Sequence, residues 1–211
     1  MTTIKALALG SYSNVKYHPF KDVDREFENI FRGEVEVHCT EDLDSLNPET
    51  LAGYELIISY TEFSDQPLSP QQTAALISFV AGGGGLLVVH NGISMQRTQE
   101  LGTVLGGYFT HHPEYTTLHI EFPQPDHPIV QGIESFAIDD EPYYFEMQPH
   151  FKTTVLAQYL HEGATREAAW CHGFGQGRVV YLMPGHHLPS FSVEPFRQLI
   201  LRSGLWAAAR L

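Results

Sequence analysis

Residues 69–92 read SPQQTAALISFVAGGGGLLVVHNG, and this stretch decides the fold. Ser69 is a good N-cap, Pro70 suits the first helical position, and apolar residues then recur at helical spacing. Four glycines end the predicted helix and turn the chain, and the apolar run 86–89 is typical of a strand buried on both faces of a parallel sheet. The polar residues 90–92 therefore lie at the carboxyl end of a strand, where open α/β sheets bind their ligands.

Similar segments flank this unit on both sides. The sequence predicts strands over residues 3–9, 34–39, 54–60, 86–89, 116–122, 155–160, 168–172 and 178–183, and helices over 20–31, 70–81, 94–105 and 191–209. With right-handed crossovers, the first four strands give a doubly wound, mainly parallel sheet with helices on both faces. The glycine-rich turn 173–177 predicts a C-terminal β-hairpin that extends the sheet. Residues 10–14 and 108–113 are predicted to be turns, and the latter contains two adjacent histidines.

Length and composition bound the class of protein. At 211 residues, 43% hydrophobic and 18% charged, the chain is expected to be a single globular α/β domain over residues 1–211. The apolar run 4–9 is too short for a signal peptide and contains Lys5, so a cytoplasmic location is expected. Cys39 and Cys171 lie far apart without metal or redox spacing, as in reduced cytosolic proteins.

The formal charge of −13 argues against nucleic acid and anionic membranes as partners, because both require clustered Lys and Arg. No G-x-G-x-x-G motif follows a strand and opens a helix, so no nucleotide cofactor is expected. A homo-oligomer is expected only because symmetric association is common. The most unusual feature of the composition is the 12 histidines, which equal the Lys and Arg residues in number.

Several of these histidines are predicted to meet at one edge of the sheet. His18, His90 and His186 follow different strands, and the turn with His111 and His112 comes after the helix that follows His90. Parallel strands share one carboxyl edge, so these loops converge into a histidine-lined pocket. Other side chains could complete this pocket: carboxylates from Glu141 and Asp140, and aromatic faces for a sugar ring from Tyr108, Tyr143 and Phe63.

Two kinds of chemistry fit these residue types. In the first, some of His18, His90, His112, His186 and Glu141 hold a divalent metal such as zinc or another first-row ion, leaving a position open for substrate. In the second, His90, His186 and Glu141 act as general acids and bases without metal, and Asn91 donates to a developing oxyanion. Structural alternatives are an ion pair between Glu141 and Arg178, and a loop-shaping role for His127.

An ordered set of motifs resembles the ThuA-like, or trehalose-utilisation, family. The set comprises the glycine run before His90, LGGYF at 105–109, HPI at 127–129, the pair Asp140-Glu141 with Tyr143, AW at 169–170, GQGRV at 175–179 and GH at 185–186. The resemblance implies a fold like that of class I glutamine amidotransferases, which is flavodoxin-like. It also implies a role in carbohydrate metabolism, with oxidised disaccharides as one class of substrate.

The resemblance does not extend to glutaminase chemistry. Glutamine amidotransferases carry a cysteine nucleophile at the turn after the central strand. Here that turn is Val89-His90-Asn91-Gly92, and histidine cannot form the thioester that glutamine hydrolysis needs. We therefore expect an isomerase, lyase or hydrolase acting on a sugar or keto-sugar derivative. The alternative is a non-catalytic sugar-binding or regulatory protein that uses the same pocket.

Overall fold

A seven-stranded sheet forms the centre of the computed structural model, which describes residues 3–13, 15, 17–63, 67–150 and 152–211. The strands in chain order are β1 (Ile4–Leu9), β2 (Val35–Thr40), β3 (Leu56–Ser59), β4 (Gly85–Val89), β5 (Gly107–His111), β6 (Thr116–Ile120), β7 (Phe136–Asp140), β8 (Tyr144–Met147), β9 (Thr154–His161), β10 (Ala164–Phe174) and β11 (Gly177–Leu182). The α-helices are α1 (Val23–Ile30), α2 (Pro48–Leu51), α3 (Pro70–Ala81), α4 (Gln99–Leu105) and α5 (Glu194–Ala207). Short 3₁₀ helices cover Leu43–Ser45, His90–Arg97 and Leu188–Ser192. Asn14, the last residue of the first predicted turn, lies outside the described residues.

The strand order of the sheet is β2-β1-β3-β4-β11-β10-β9. The first five strands run parallel, whereas β10 and β9 add in antiparallel fashion. The prediction of a doubly wound, mainly parallel sheet with a C-terminal extension is thus confirmed. Strand β11 runs parallel to its neighbour β4 and so belongs to the parallel part of the sheet. The carboxyl ends of β1, β3, β4 and β11 therefore share one edge.

The unit α3-β4 forms as its sequence predicts. The Ser69 hydroxyl accepts from the backbone N–H of Gln72, whose side chain accepts from the N–H of Ser69, which completes a capping box. Every residue of β3 and β4 is buried, as expected for strands covered on both faces. Helices α1 and α5 pack together, as do α2, α3 and α4 in a second layer.

Three predicted segments require correction. The predicted helix 94–105 is correct only from Gln99, because a 3₁₀ helix begins at His90 and extended Thr98 separates the two. The predicted turn 108–113 is wrong, since Gly107–His111 is a strand paired with β8, a partner that local sequence does not reveal. The closing helix begins at Glu194, after a 3₁₀ helix and an extended Val193.

Two small antiparallel sheets, β5-β8 and β6-β7, lie outside the main sheet. They place the end of β7 and the residues after β5 beside the carboxyl edge of the parallel strands, where they add side chains to those of the strand-end loops. In the part of the chain that the structure describes, no helix is both long and apolar enough to cross a membrane.

Candidate functional site

Four side chains from distant parts of the sequence meet at the carboxyl edge of the sheet. His18 lies between β1 and α1, His90 directly follows β4, Glu141 directly follows β7, and His186 lies beyond β11. Each contributes one potential ligand atom, and all four atoms lie within 4.8 Å of one another. His18 and His90 are buried, and the other two are partly exposed. The fold thus brings together three imidazoles and one carboxylate.

The spacing of the donor atoms suits a metal ion. His186 Nδ1 lies 3.1 Å from Glu141 Oε2 and 3.1 Å from His18 Nε2. Glu141 Oε2 is 3.3 Å from His90 Nε2 and 4.0 Å from His18 Nε2. Tetrahedral ligands at zinc–nitrogen distances of about 2.0–2.1 Å would be separated by about 3.3 Å. The cluster could therefore hold a metal ion.

The hydrogen bonding of His90 strengthens this interpretation. Its Nδ1 lies 2.7 Å from the carbonyl oxygen of Met183, which can only accept, so Nδ1 carries the proton. Complete burial lowers the pKa of His90, against the raising effect of Glu141, so the ring is neutral and Nε2 presents a lone pair. That lone pair faces Glu141 Oε2, another acceptor, and hydrogen-bonds no other group of the described protein. A cation between the two atoms would make their approach favourable.

Glu141 and a second carboxylate set the electrostatics of His18. Burial lowers the pKa of His18, but the nearby carboxylates of Glu141 and Glu62 outweigh it and raise the pKa above its usual value. Glu62 Oε2 lies 3.3 Å from His18 Nδ1, on the opposite side of the ring from the cluster. Burial raises the pKa of Glu141, but its contacts with His18 and His186 lower it far below its usual range. Glu141 is therefore an ionised carboxylate.

Backbone conformation aims two of the ligands. His18 and His90 have φ values of 54° and 46°, in the left-handed region that few residues other than glycine adopt. Non-glycine residues held in such conformations cluster at functional sites, at a cost of order 1–3 kcal/mol each. A Cβ at Gly185 would lie 2.9 Å from Val89 Cγ1 and 3.4 Å from His90 Cβ, so the residue before His186 has little room for a side chain. The fold thus accepts local strain to direct both imidazoles into the cluster.

The cluster borders a cavity of about 830 Å³. Loops after several strands line it, with Ser11, Ser13, Val15, Tyr17, His18, Glu41, Leu43, Thr61, Glu62, Asn91, Ile93, Ser94, Gln96, Arg97, Phe109, His112, Glu141, Tyr143 and His186. His112 forms part of this wall, with Nδ1 3.8 Å from Glu141 Oε1, but it lies outside the four-residue cluster. His111 instead contacts the Thr110 hydroxyl and the ring of Tyr144, so His112 is the inward-facing member of the pair.

The other predicted site residues divide into two groups. Asn91 and Tyr143 line the cavity, and Tyr143 packs between His90 and Phe109 with ring centroids 4.3 Å apart in both pairs. Phe63 is 1% exposed, and Tyr108 packs against Gly102 of α4. Neither Phe63 nor Tyr108 lines the cavity, so both leave the candidate site.

The contacts of Asn91 bear on its predicted role as an oxyanion donor, which stays a prediction. Its Nδ2 donates to the carbonyl oxygen of Tyr60, and its Oδ1 is buried with no hydrogen-bond partner in the described part of the protein. The amide therefore has a spare acceptor next to the cavity. Glu141 faces the histidines rather than Arg178, whose guanidinium donates to Trp206 O. His127 accepts from the backbone N–H of Ile129 and thus shapes its loop.

Sequence reasoning missed Glu62 altogether. Its position three residues after the end of β3, at the same edge as His90, was the available signal. Asp140 was considered only as an additional carboxylate, but the structure places it beneath the cluster, completely buried. Burial of this kind has no local sequence signature, since it depends on how β7 meets the loop after β11.

Comparison with known proteins agrees with this description. The model of the ThuA family, described as trehalose utilisation, matches residues 11–207. No curated protein matches the sequence significantly. A ThuA-like protein from Bacteroides uniformis superposes with a TM-score of 0.80 and 18% identity, covering 97% of this chain and 91% of that chain. A ThuA-like protein from Parabacteroides merdae superposes with a TM-score of 0.81 and 16% identity, covering 98% of this chain and 90% of that chain.

A β-galactosidase from Bacillus circulans sp. alkalophilus also contains this fold. It superposes with a TM-score of 0.66 and 15% identity, and the match covers 95% of this chain but 30% of that chain. At these identities the structural likeness shows the fold alone. The family model, in contrast, matches residues 11–207, which is nearly all of the sequence. The chain therefore belongs to the ThuA, or trehalose-utilisation, family.

Proposed function

We propose that this protein is a metal-dependent enzyme of carbohydrate metabolism that moves a proton next to the carbonyl group of a keto-sugar derivative. Family membership associates the chain with carbohydrate metabolism. The observation that carries the proposal is the approach of two acceptors, His90 Nε2 and Glu141 Oε2, to 3.3 Å at the border of a large cavity. Such an arrangement is unfavourable without a cation between them.

The ligands in this proposal are His18, His90, His186 and Glu141. Imidazole nitrogens with one carboxylate suit zinc and also other first-row ions, so zinc is the first candidate and manganese and nickel are the next. A metal ion at this position would supply Lewis-acid polarisation of a substrate oxygen. Glu62 holds the ring of His18, and the Met183 carbonyl holds that of His90, as outer partners of metal-binding histidines commonly do.

His112 is the proposed general base. Its Nδ1 lies 2.9 Å from the Pro113 carbonyl oxygen and donates to it, so the neutral ring has its lone pair on Nε2. The ring stacks on Tyr143 at a centroid distance of 5.5 Å and remains partly exposed to the cavity. A base at this place could take a proton from the carbon next to a bound carbonyl group and return it to a neighbouring carbon. Such a base contributes about 10²–10⁴-fold to a reaction rate.

The cavity suits a carbohydrate of one or two rings. Its volume of about 830 Å³ falls within the range of small-molecule sites, about 300–1,000 Å³. Phe109 and Tyr143 provide apolar surface beside His112, which suits the C–H face of a sugar ring. Hydroxyl groups of the substrate have Ser11 and Glu62 on the same walls as partners.

The first test is elemental analysis of the protein purified without a histidine tag. We expect one first-row metal ion per chain, and its loss in His90→Ala and His186→Ala variants that remain folded by circular dichroism. Arg25→Ala is a suitable control, because this exposed residue lies on α1 and is not one of the four cluster residues. Absence of metal from the wild-type protein, even after incubation with zinc, manganese and nickel, would contradict the metal-dependent part of the proposal.

The second test detects proton transfer directly. We expect wild-type protein to wash deuterium from D₂O into a keto-sugar at the carbon next to the carbonyl, as measured by ¹H NMR over a panel of one- and two-ring compounds. His112→Gln should keep its metal and lose about 10²–10⁴-fold of this activity. If the protein binds metal but exchanges no deuterium into any keto-sugar, the enzymatic proposal is rejected. The sugar-binding alternative is then favoured.

A further inference from the structure

Asp140 is a completely buried carboxylate directly beside Glu141 in the sequence. Burying a charged group is costly unless hydrogen bonds compensate for the lost water. Each oxygen of Asp140 has such partners. Oδ2 accepts from the backbone N–H of Gly185 at 2.8 Å and from the Ser190 hydroxyl at 2.9 Å, and Oδ1 accepts from the N–H of Glu141 at 2.9 Å. The carboxylate is thus bound by the segments that carry two of the candidate ligands.

The contacts continue to the ligand residues themselves. The backbone N–H of His186 lies 3.3 Å from both oxygens of Asp140, and Oδ1 is 3.7 Å from His90 Nδ1. That nitrogen is on the side of the His90 ring away from the metal site. Asp140 therefore lies behind the cluster, close to His90, Glu141 and His186. It does not occupy the His90 nitrogen that would bind a metal ion.

Gly185 makes the contact with His186 sensitive to Asp140. Its φ of +131° is open to glycine and strained for other residues, so the backbone before His186 has little intrinsic preference. Hydrogen bonds from Gly185 and His186 to one buried carboxylate remove that freedom. The direction of the His186 imidazole consequently depends on Asp140, although Asp140 offers no atom to the metal.

We infer that Asp140 is a positioning residue of the metal site: its buried carboxylate fixes the backbone of His186 and the surroundings of His90, and thereby sets the affinity for metal. This inference rests on the metal site of the proposed function. Outer partners of metal ligands typically contribute about 10–100-fold to metal affinity. Asp140 also adds negative charge near a divalent ion, which acts in the same direction.

The test compares metal dissociation constants of metal-stripped proteins, measured by competition with a chromophoric zinc chelator at one pH. We expect Asp140→Asn to bind zinc about 10–100-fold more weakly than wild type. The visible spectrum of the cobalt-loaded variant should also change, because cobalt absorption reports coordination geometry. Ser69→Ala is the control: it removes the cap of α3 and costs about 1 kcal/mol of stability away from the site.

A purely structural role for Asp140 makes a different prediction. In that case Asp140→Asn would lower the melting temperature of the metal-free protein, as expected for Ser69→Ala, and would leave zinc affinity and the cobalt spectrum unchanged. This result would overturn the inference. If Asp140→Asn does not fold, Ser190→Ala decides. It removes one hydrogen bond to Oδ2 and should weaken zinc binding about 2- to 10-fold, and an unchanged affinity would reject the role.

The wild-type protein separates this inference from the proposed function. Wild-type protein without zinc affinity would refute the metal site and the role of Asp140 together. Tight zinc binding by wild type and an equally tight Asp140→Asn would refute only the role of Asp140.

Discussion

Zinc should raise the melting temperature of this protein by an amount that depends on the zinc concentration, relative to its dissociation constant, and on the chain length. A ligand present at 100 times its dissociation constant stabilises the folded state by about 2.7 kcal/mol. For 211 residues, an unfolding entropy of about 2.1 cal/mol/K per residue gives roughly 0.44 kcal/mol/K. The expected increase in melting temperature is therefore about 6 °C.

Glu141→Gln should remove most of this increase. The substitution keeps the size of the side chain but replaces the anionic oxygen that lies 3.1–3.3 Å from two imidazole nitrogens. We expect an increase below about 2 °C at the same zinc concentration, because the neutral amide is a much poorer ligand. Glu49→Gln, an exposed residue of α2, should keep the full increase.

Thermal unfolding followed by circular dichroism, with and without zinc after chelator treatment, measures both quantities. The comparison uses the zinc-dependent difference within each protein, so a change in the metal-free stability of the variant does not affect it. An equal increase in wild type and Glu141→Gln would show that zinc binds elsewhere. No increase in the wild-type protein would refute the reasoning from donor spacing.

Three further predictions concern packing and the thiols. Tyr143→Ala should lower the free energy of unfolding by about 3–5 kcal/mol in urea titrations, because it removes a 5%-exposed ring that packs on the rings of His90 and Phe109 among others. Tyr143→Phe should cost under about 1.5 kcal/mol in the same assay. Burial raises the pKa of Cys39 and Cys171 to about 12. The native protein at pH 8 should therefore react with thiol reagents about 10³-fold more slowly than free cysteine, and the rate should increase with pH. Rapid labelling of the native protein would contradict this prediction. Gly177→Ala should unfold the protein or cost over about 3 kcal/mol, since its Cβ would lie 2.1 and 2.3 Å from two backbone oxygens; Gly53→Ala, with 3.4 Å of space, should be tolerated in the same assay.

Local sequence patterns predicted the parts of the fold that local physics controls. The capping box at Ser69, the β-branched run of β4 and the glycine turn between them act over a few residues, and each forms as expected. The strand Gly107–His111 was missed because its stability comes from pairing with β8, distant in sequence. The 3₁₀ helix after β4 was missed because it follows from the left-handed backbone of His90.

For the candidate site, the convergence of His18, His90 and His186 followed from their positions after parallel strands. Their mutual distances and the choice of His112 over His111 required coordinates, since they depend on how β5 and β7 approach the main sheet. Residues that support the ligands were the hardest to predict. Asp140 accepts a hydrogen bond from the backbone of a loop distant in sequence, and no spacing rule connects the two.

The separation of the ligands along the chain has a consequence for the order of folding events. His18 and His186 are 168 residues apart, yet their ring nitrogens lie 3.1 Å from each other. No short segment carries a complete ligand set, so an unfolded chain would have to close very long loops before metal could bind tightly. A metal ion at this site could therefore not nucleate folding as it does in a zinc finger. The sheet would first have to bring β1, β4 and β11 into register, and metal would bind only after that assembly.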